Sequence, residues 1–327
     1  MPASLNHASL RILACPHDHT KLRAENGILV CERAHQFPVE NGIPIFAEDP
    51  RREPVPLNLA PCQPPIAGEH EARGEPIDPF VNDWIVNTNG NLYWRVRGRL
   101  PRYPIPNWPF GAGNGKILVD IGCSWGRWSI AAARAGFAPV GADVHVDALA
   151  AASSVSRQIN MRADFICCDA EHLPFPSGSA DFVFSYSVLQ HLDKSKVRGI
   201  FREISRVLQP GGVCLIQLPN AFGLLSIVQQ LGRGFREAKS GTFEMRYWTH
   251  AQIRRALQQA GFSKVTIHTD GFFSQNPQLT DLDLLSPAGR LLVRLSAAGR
   301  RAANALPVLT RVADSLWIEA HTSPSRG

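Results

Sequence analysis

From residue 116 onward, short apolar runs alternate with stretches of helical period, and this alternation constrains the fold more than any other feature of the chain. Strands are expected at 116–121, 138–143, 163–168, 180–186 and 212–218, with helices at 125–136, 147–160 and 194–209 between them. A further helix near 249–260 precedes strands at 264–269 and 315–320. Strands separated by helices of this length require a mostly parallel sheet covered on both faces, an α/β fold. The first strand, Ile117 to Val119, delivers Asp120 and then breaks into Gly122 and Gly126 before a helix begins. A glycine turn between a buried strand and a helix N-terminus lets backbone approach a ligand closely, which is a nucleotide-binding arrangement.

Acids follow at the ends of the next strands. Asp143 closes the second, where a carboxylate suits the hydroxyls of a ribose. Asp169 follows the third, placed for an adenine amino group. The fourth, from Asp181, runs through Ser185 to His191, into the loop where reacting atoms would meet. A nicotinamide-dinucleotide protein would show Gly-x-Gly-x-x-Gly, and Gly122-x-x-x-Gly126 does not supply it.

The ordered set of Asp120, Gly122, Gly126, Asp143, Asp169-Ala170, Leu173-Pro174-Phe175, Asp181 to His191 and Pro210-Gly211-Gly212 resembles a class I S-adenosylmethionine-dependent methyltransferase, of the ubiquinone/menaquinone-biosynthesis type. The resemblance covers residues 85–222. It implies a Rossmann-like seven-stranded sheet whose last strand is antiparallel. It also implies that S-adenosylmethionine is held by Asp120, Gly122, Cys123, Gly126, Asp143, Val144, Asp169, Ala170 and Ser185. One departure is visible: Ser124 stands at the family's usual second glycine. His191 is a candidate general base, since imidazole titrates near neutral pH, although methyl transfer from a sulfonium is served largely by alignment.

The first 50 residues form a separate block built around cysteine and histidine. Cys15, Asp18, Cys31 and His35 are candidate ligands of a tetrahedral zinc. Two cysteine knuckles flanking a hairpin, followed by Asn41-Gly42-Ile43-Pro44, are similar to the small zinc-ribbon proteins that activate tRNA and protein methyltransferases. The Cys31 to His35 part also resembles the zinc module of large-subunit rRNA guanine methyltransferases. In those families the position of Asp18 holds cysteine; a carboxylate can bind zinc, and His17 or His19 are alternative ligands. A proline-rich linker is expected over 51–79, and the methyltransferase domain over 80–327, with aromatic residues from Phe80 to Phe110 leading into its core.

Two insertions, 219–248 and 271–312, are expected on the acceptor side. Segment 284–312 carries Arg290, Arg294, Arg300, Arg301 and Arg311 among leucines and valines, the pattern of basic amphipathic helices, either packed with a solvated face or touching an anionic membrane. The net charge of +6 permits an anionic partner without requiring one. No run is long enough to span a bilayer and the first residues do not read as a secretory signal, so the expected compartment is the cytoplasm. Seven scattered cysteines argue against a disulfide framework. The leading expectation is methyl transfer to a hydroxyl of a small-molecule, glycan or lipid-linked acceptor. The alternatives are an RNA methyltransferase that grips rRNA or tRNA with the ribbon, and a non-catalytic S-adenosylmethionine-binding partner.

Overall fold

The computed structural model describes residues 12–50, 77–89, 93, 98, 100–273 and 279–324. An amino-terminal antiparallel sheet is built from β1 (Leu22–Glu25), β2 (Ile28–Cys31), β3 (Gln36–Glu40) and β4 (Ile43–Pro44). Its β1–β2 and β3–β4 reversals are Asn26-Gly27 and Asn41-Gly42, each with both residues at positive φ. Asparagine and glycine tolerate that region, and the resulting turn matches the twist of a hairpin.

The larger unit opens with α1 (Pro79–Thr88), whose first turn is capped by Asp78 accepting from the Phe80 amide. Then follow β5 (Ile117–Ile121), α2 (Arg127–Arg134), β6 (Ala138–Asp143), α3 (Val146–Gln158), β7 (Asp164–Cys167), β8 (Ala180–Ser185), α4 (Lys194–Val207) and β9 (Leu208–Pro219). The chain continues through α5 (Leu224–Gly232), α6 (His250–Gln259), β10 (Phe262–Gly271), α7 (Pro287–Ala305) and β11 (Ser315–Thr322). Seven strands form one sheet in the order β10-β11-β9-β8-β5-β6-β7, with β5, β6, β7, β8 and β9 parallel and β11 antiparallel to both its neighbours. This is the Rossmann-like sheet expected from the sequence.

Local chemistry explains the elements. α4 buries Val197, Ile200, Phe201, Ile204 and Val207 at helical spacing and turns Arg198 and Arg202 to solvent. α6 begins with a reciprocal capping box between Thr249 and Gln252. β9 starts four residues earlier than expected: Leu208 pairs with Ala180 and Val213 with Phe182, so Gln209 to Gly212 bulge out of the ladder. Tyr93 and Tyr103 are buried, and Trp108 packs against Phe110, Trp128, Phe137 and Phe184. Trp94, and residues 51–76 of the expected linker, lie outside the described residues.

The amino-terminal sheet is docked rather than tethered. The amides of Phe46 and Ala47 donate to the Cys167 carbonyl (2.7 and 3.2 Å), and Ile45 bridges Cys167 in parallel register. Ala14 donates to Pro174 and Val146 to Pro50. Leu13, Leu29, Phe37 and Phe46 share one apolar core with β5, β6 and α4. The free edge of β7 thereby gains backbone partners and an apolar cover, which an unpaired edge needs.

Asp181, at the start of β8, accepts from the Ile117 amide (2.9 Å) and from Gln209 Nε2 (2.7 Å), fixing where β5 and β9 begin. Asp181→Ala leaves the first amide of β5 without its partner, and chemical denaturation should show a loss of about 1–2 kcal/mol. An unchanged midpoint would mean that this clamp does not register the sheet.

Candidate active site and candidate metal centre

The strand order reverses about β5 and β8, and the crevice outside their carboxyl ends is where α/β sheets of this kind bind ligands. Its floor is the turn after β5. Gly122 has φ +73°, and a Cβ there would lie 2.3 Å from Val188 Cγ2 in the loop after β8. Gly126, φ +80°, starts α2, and a Cβ would lie 3.0 Å from that of Ala152. Ser124, where the sequence departs from glycine, keeps the left-handed conformation (φ +49°), a strain of about 1–3 kcal/mol for a residue with a side chain.

Asp143 ties the strand ends together. Its Oδ2 accepts from the Ser124 amide (2.9 Å) and its Oδ1 from the His145 amide (3.0 Å), while its carbonyl accepts from the Cys168 amide (2.9 Å). Burial raises its pKa. Asp169, next in the chain after Cys168, accepts from the Glu171 amide (2.9 Å) in a tight local turn. Asp120 is buried behind the turn and accepts from Ser129 Oγ (2.6 Å). Burial, with a smaller contribution from the charge of Asp143, pushes its pKa up to about 7.

The other residues assigned to the cofactor from the sequence stand at the same strand ends. Cys123 is buried, with its thiol toward the Ser124 carbonyl and burial raising its pKa. The Val144 carbonyl accepts from Cys167 Sγ (3.4 Å). Ala170 is half-buried and packs against the apolar core. The buried Ser185 donates from Oγ to the Ile121 carbonyl (3.0 Å), which joins the ends of β8 and β5.

His191 stands in the loop after β8 with both ring nitrogens engaged. Nδ1 pairs with the Phe243 carbonyl (2.9 Å) and Nε2 lies 3.2 Å from Gln190 Nε2. The Phe243 ring stacks on the imidazole at 3.7 Å. Desolvation lowers the His191 pKa to about 4. Buried Arg246 pins the insertion onto this loop, donating to the carbonyls of His191, Thr242, Glu244 and Lys239 and to Asp193 Oδ1 (2.6 Å).

Sequence reasoning missed two features. A polar chain crosses four strand ends: Gln217 accepts from the Ser187 amide and donates to Ser315 Oγ, which donates to Asp270 Oδ2, and Asp270 also accepts from Tyr186 (3.2 Å). Burial raises the pKa of Asp270 and carries the Tyr186 phenol well above its usual range. An acid directly after the expected 264–269 strand was the available signal. The second is Arg127 at the start of α2, buried over the Trp128 ring, with Nε and Nη2 lacking a hydrogen-bond partner among the described residues.

Cys15, Asp18, Cys31 and His35 converge at the base of the amino-terminal sheet, their ligand atoms all within 4.8 Å of one another. His35 Nδ1 lies 3.4 Å from Cys15 Sγ, 3.3 Å from Cys31 Sγ and 3.3 Å from Asp18 Oδ2, and Cys31 Sγ lies 3.5 Å from Asp18 Oδ2. Ligand bonds of roughly 2.0–2.3 Å in a tetrahedron give edges of roughly 3.3–3.8 Å, so the donor set fits zinc. Thr20 donates its amide (3.0 Å) and hydroxyl (2.7 Å) to Asp18 Oδ1. These bonds hold the Asp18 carboxyl well below its usual pKa and leave Oδ2 facing the sulfurs.

Residues 119–216, from β5 into β9, match the family described as methyltransferase domain. The chain is 32% identical over 144 residues to the biotin biosynthesis bifunctional protein BioHC of Cellvibrio japonicus, covering 44% of this chain and 27% of that one. It is 27% identical over 162 residues to the ubiquinone biosynthesis O-methyltransferase of Psychrobacter arcticus, covering 47% of this chain and 61% of that one. It is also 27% identical over 213 residues to a probable S-adenosylmethionine-dependent methyltransferase of Mycolicibacterium smegmatis, covering 63% of this chain and 68% of that one. The chain spans about a quarter of the first of these relatives. The match over residues 119–216 agrees with the methyltransferase resemblance carried by the motifs.

The folded chain holds the Asp120 proton up to about pH 7, whereas the ordinary value is 3.8. Stability from this group is therefore complete at acid pH and is lost as pH rises through about 7. Asp120→Asn keeps an acceptor for Ser129 and removes the titration. Its denaturation midpoint should vary less than the wild type's between about pH 4 and pH 8. Parallel midpoints in the two proteins would count against the raised pKa.

Proposed function

We propose that this chain transfers the methyl group of S-adenosylmethionine to a small-molecule, glycan or lipid-linked acceptor, at a hydroxyl. The observation that carries this reading is the clamp of Asp143 on the Ser124 amide: it sets an acid of β6 beside the glycine turn of β5, within a domain that matches the methyltransferase family. In this reading Asp143 holds the ribose hydroxyls and Asp169 faces the adenine amino group. Gly122 and Gly126 let the backbone close on the methionine end, and Arg127 offers free N–H groups to its carboxylate. Cys123, Val144 and Ala170 supply the apolar walls, while Asp120 and Ser185 hold the turn and the strand ends from behind.

The bound sulfonium supplies an electrophilic methyl group, so the chain must supply alignment and exclusion of water. His191 is suited to that task more than to taking a proton, because both its nitrogens are engaged and Phe243 covers its face. Relatives named for biotin and ubiquinone biosynthesis, one of them an O-methyltransferase, support a small acceptor methylated at oxygen. Among the described residues, no helix is long and apolar enough to cross a membrane.

We also infer that Cys15, Asp18, Cys31 and His35 hold a structural zinc, closed on all four sides and without an open position for chemistry. Its place at the docked edge suits a brace for the domain.

Calorimetric titration should show S-adenosylmethionine binding that Asp143→Ala weakens about tenfold or more, the loss expected of a charge-assisted pair of hydrogen bonds. Unchanged affinity would refute the ribose assignment. Radiolabelled methyl transfer should appear in a lipid and glycan extract, and label entering RNA alone would overturn the acceptor class. Purified protein should contain close to one equivalent of zinc, lost in Cys15→Ser and His35→Ala. Less than about a tenth of an equivalent in the wild type would reject the metal centre.

A further inference from the structure

α5 presents the wrong face to water. Its polar residues are bonded to the protein: Ser226 is buried and donates its amide (2.9 Å) to Asp314 Oδ1, Gln230 Nε2 donates to the carbonyls of Ala221 (2.7 Å) and Ser226 (3.1 Å), and Gln229 accepts from Tyr247. Leu225 and Ile227 are half-buried, and the other apolar residues of the helix point outward. Leu224, Val228 and Leu231 follow helical spacing, Phe235 continues the stripe, and Phe222 and Phe243 flank it, each between 51% and 61% exposed. These six are half of the large exposed apolar side chains among the described residues. A contiguous apolar face of this kind on a folded domain marks a surface that something covers.

The charges around the stripe identify what covers it. Arg233, Arg236 and Lys239 follow it and are exposed, while the acid among them, Glu237, is paired with Lys194 (2.7 Å), leaving Glu244 as the one acid without such a pair over 222–245. At the other end, Asn220 Nδ2 donates to the carbonyls of Arg311 and Ala313 (both 2.8 Å), and Asp314 Oδ1 accepts from the Leu225 amide (2.7 Å). These bonds seat the turn with exposed Leu306, Val308 and Arg311 against the start of α5. That turn ends segment 284–312, which has five arginines and no acid.

The patch also lies where an acceptor would arrive. It is inserted after the carboxyl end of β9, closed there by the Asn220–Trp248 bridge, and Phe243 reaches from it to stack on His191 in the crevice loop. Outward apolar residues with a basic rim are the chemistry of a helix lying in a lipid headgroup layer. We propose that α5, with residues 222–243 and the 306–311 turn, docks this protein on an anionic lipid bilayer, with the crevice mouth facing the membrane. The sequence pointed to 284–312 for such contact. Of that segment, the structure seats only the 306–311 turn, with Arg311, beside α5, and the exposed apolar face belongs to α5.

Docking needs no catalysis, so it stands or falls separately from the methyltransferase reading. The full chain should float with vesicles of phosphatidylcholine containing about a third phosphatidylglycerol, in a salt-sensitive way, and not with phosphatidylcholine alone. Val228→Glu with Leu231→Glu should lower vesicle partition tenfold or more without changing S-adenosylmethionine affinity or the melting temperature. The milder Leu231→Gln with Phe235→Gln should give a smaller loss in the same direction, and serves if the first pair destabilises the fold. Arg233→Gln with Arg236→Gln should remove most of the salt dependence. Three results would each overturn the proposal: no flotation of the wild type, equal flotation with both vesicle types, or a wild-type dimer that the glutamate pair converts to monomer without vesicle binding, which would assign the face to a second copy of the chain.

Discussion

The missing side chain of Gly122 is the constraint on which the crevice depends. Val188 occupies the space that a Cβ would need, so the turn after β5 and the loop after β8 interlock at van der Waals distance. From that contact the rest follows in order. The turn aims the Ser124 amide at Asp143, Asp143 reaches on to the His145 amide, and its carbonyl takes the Cys168 amide beside Asp169. Ser185 closes the circle by bonding to Ile121. Four parallel strands thus end in one hydrogen-bonded rim, and a ligand meets backbone that is already positioned.

The rim carries its own electrostatic tension. Asp120 and Asp143 both sit in burial that disfavours ionisation, while the Ser129 hydroxyl donates to one and the Ser124 and His145 amides donate to the other. A cationic group bound near them would relieve the cost that burial imposes. On the opposite side of the crevice Asp270, with Tyr186 and Ser315, repeats the arrangement from strands at the other end of the sheet.

Much of this could be read from residues. The sheet was legible because each parallel strand is a short apolar run ending at a polar residue, and the acids of the crevice stand at those ends. The cluster of Cys15, Asp18, Cys31 and His35 was suggested by the zinc-ribbon resemblance, with Asp18 in place of a cysteine. Other features depend on tertiary pairing. Gln217 and Ser315 are ordinary polar residues until β9 and β11 lie side by side. Leucine and valine at helical spacing normally face inward, and nothing local reveals that Asp314, 88 residues away from Ser226, turns α5 over. The docking of the amino-terminal sheet was illegible for the same reason, since its hydrogen bonds are to the main-chain carbonyls of Cys167 and Pro174, which carry no sequence signature.

That docking has a consequence for how the chain is assembled. The amino-terminal sheet is stitched by local hairpins and can organise itself early, yet the strand edge it covers is made on the order of a hundred residues later, and contacts this far apart form slowly. Until it docks, β7 offers its free carbonyls and amides to any other extended segment. In the folded chain the small sheet withdraws that edge from any such pairing and stays over it as part of the structure.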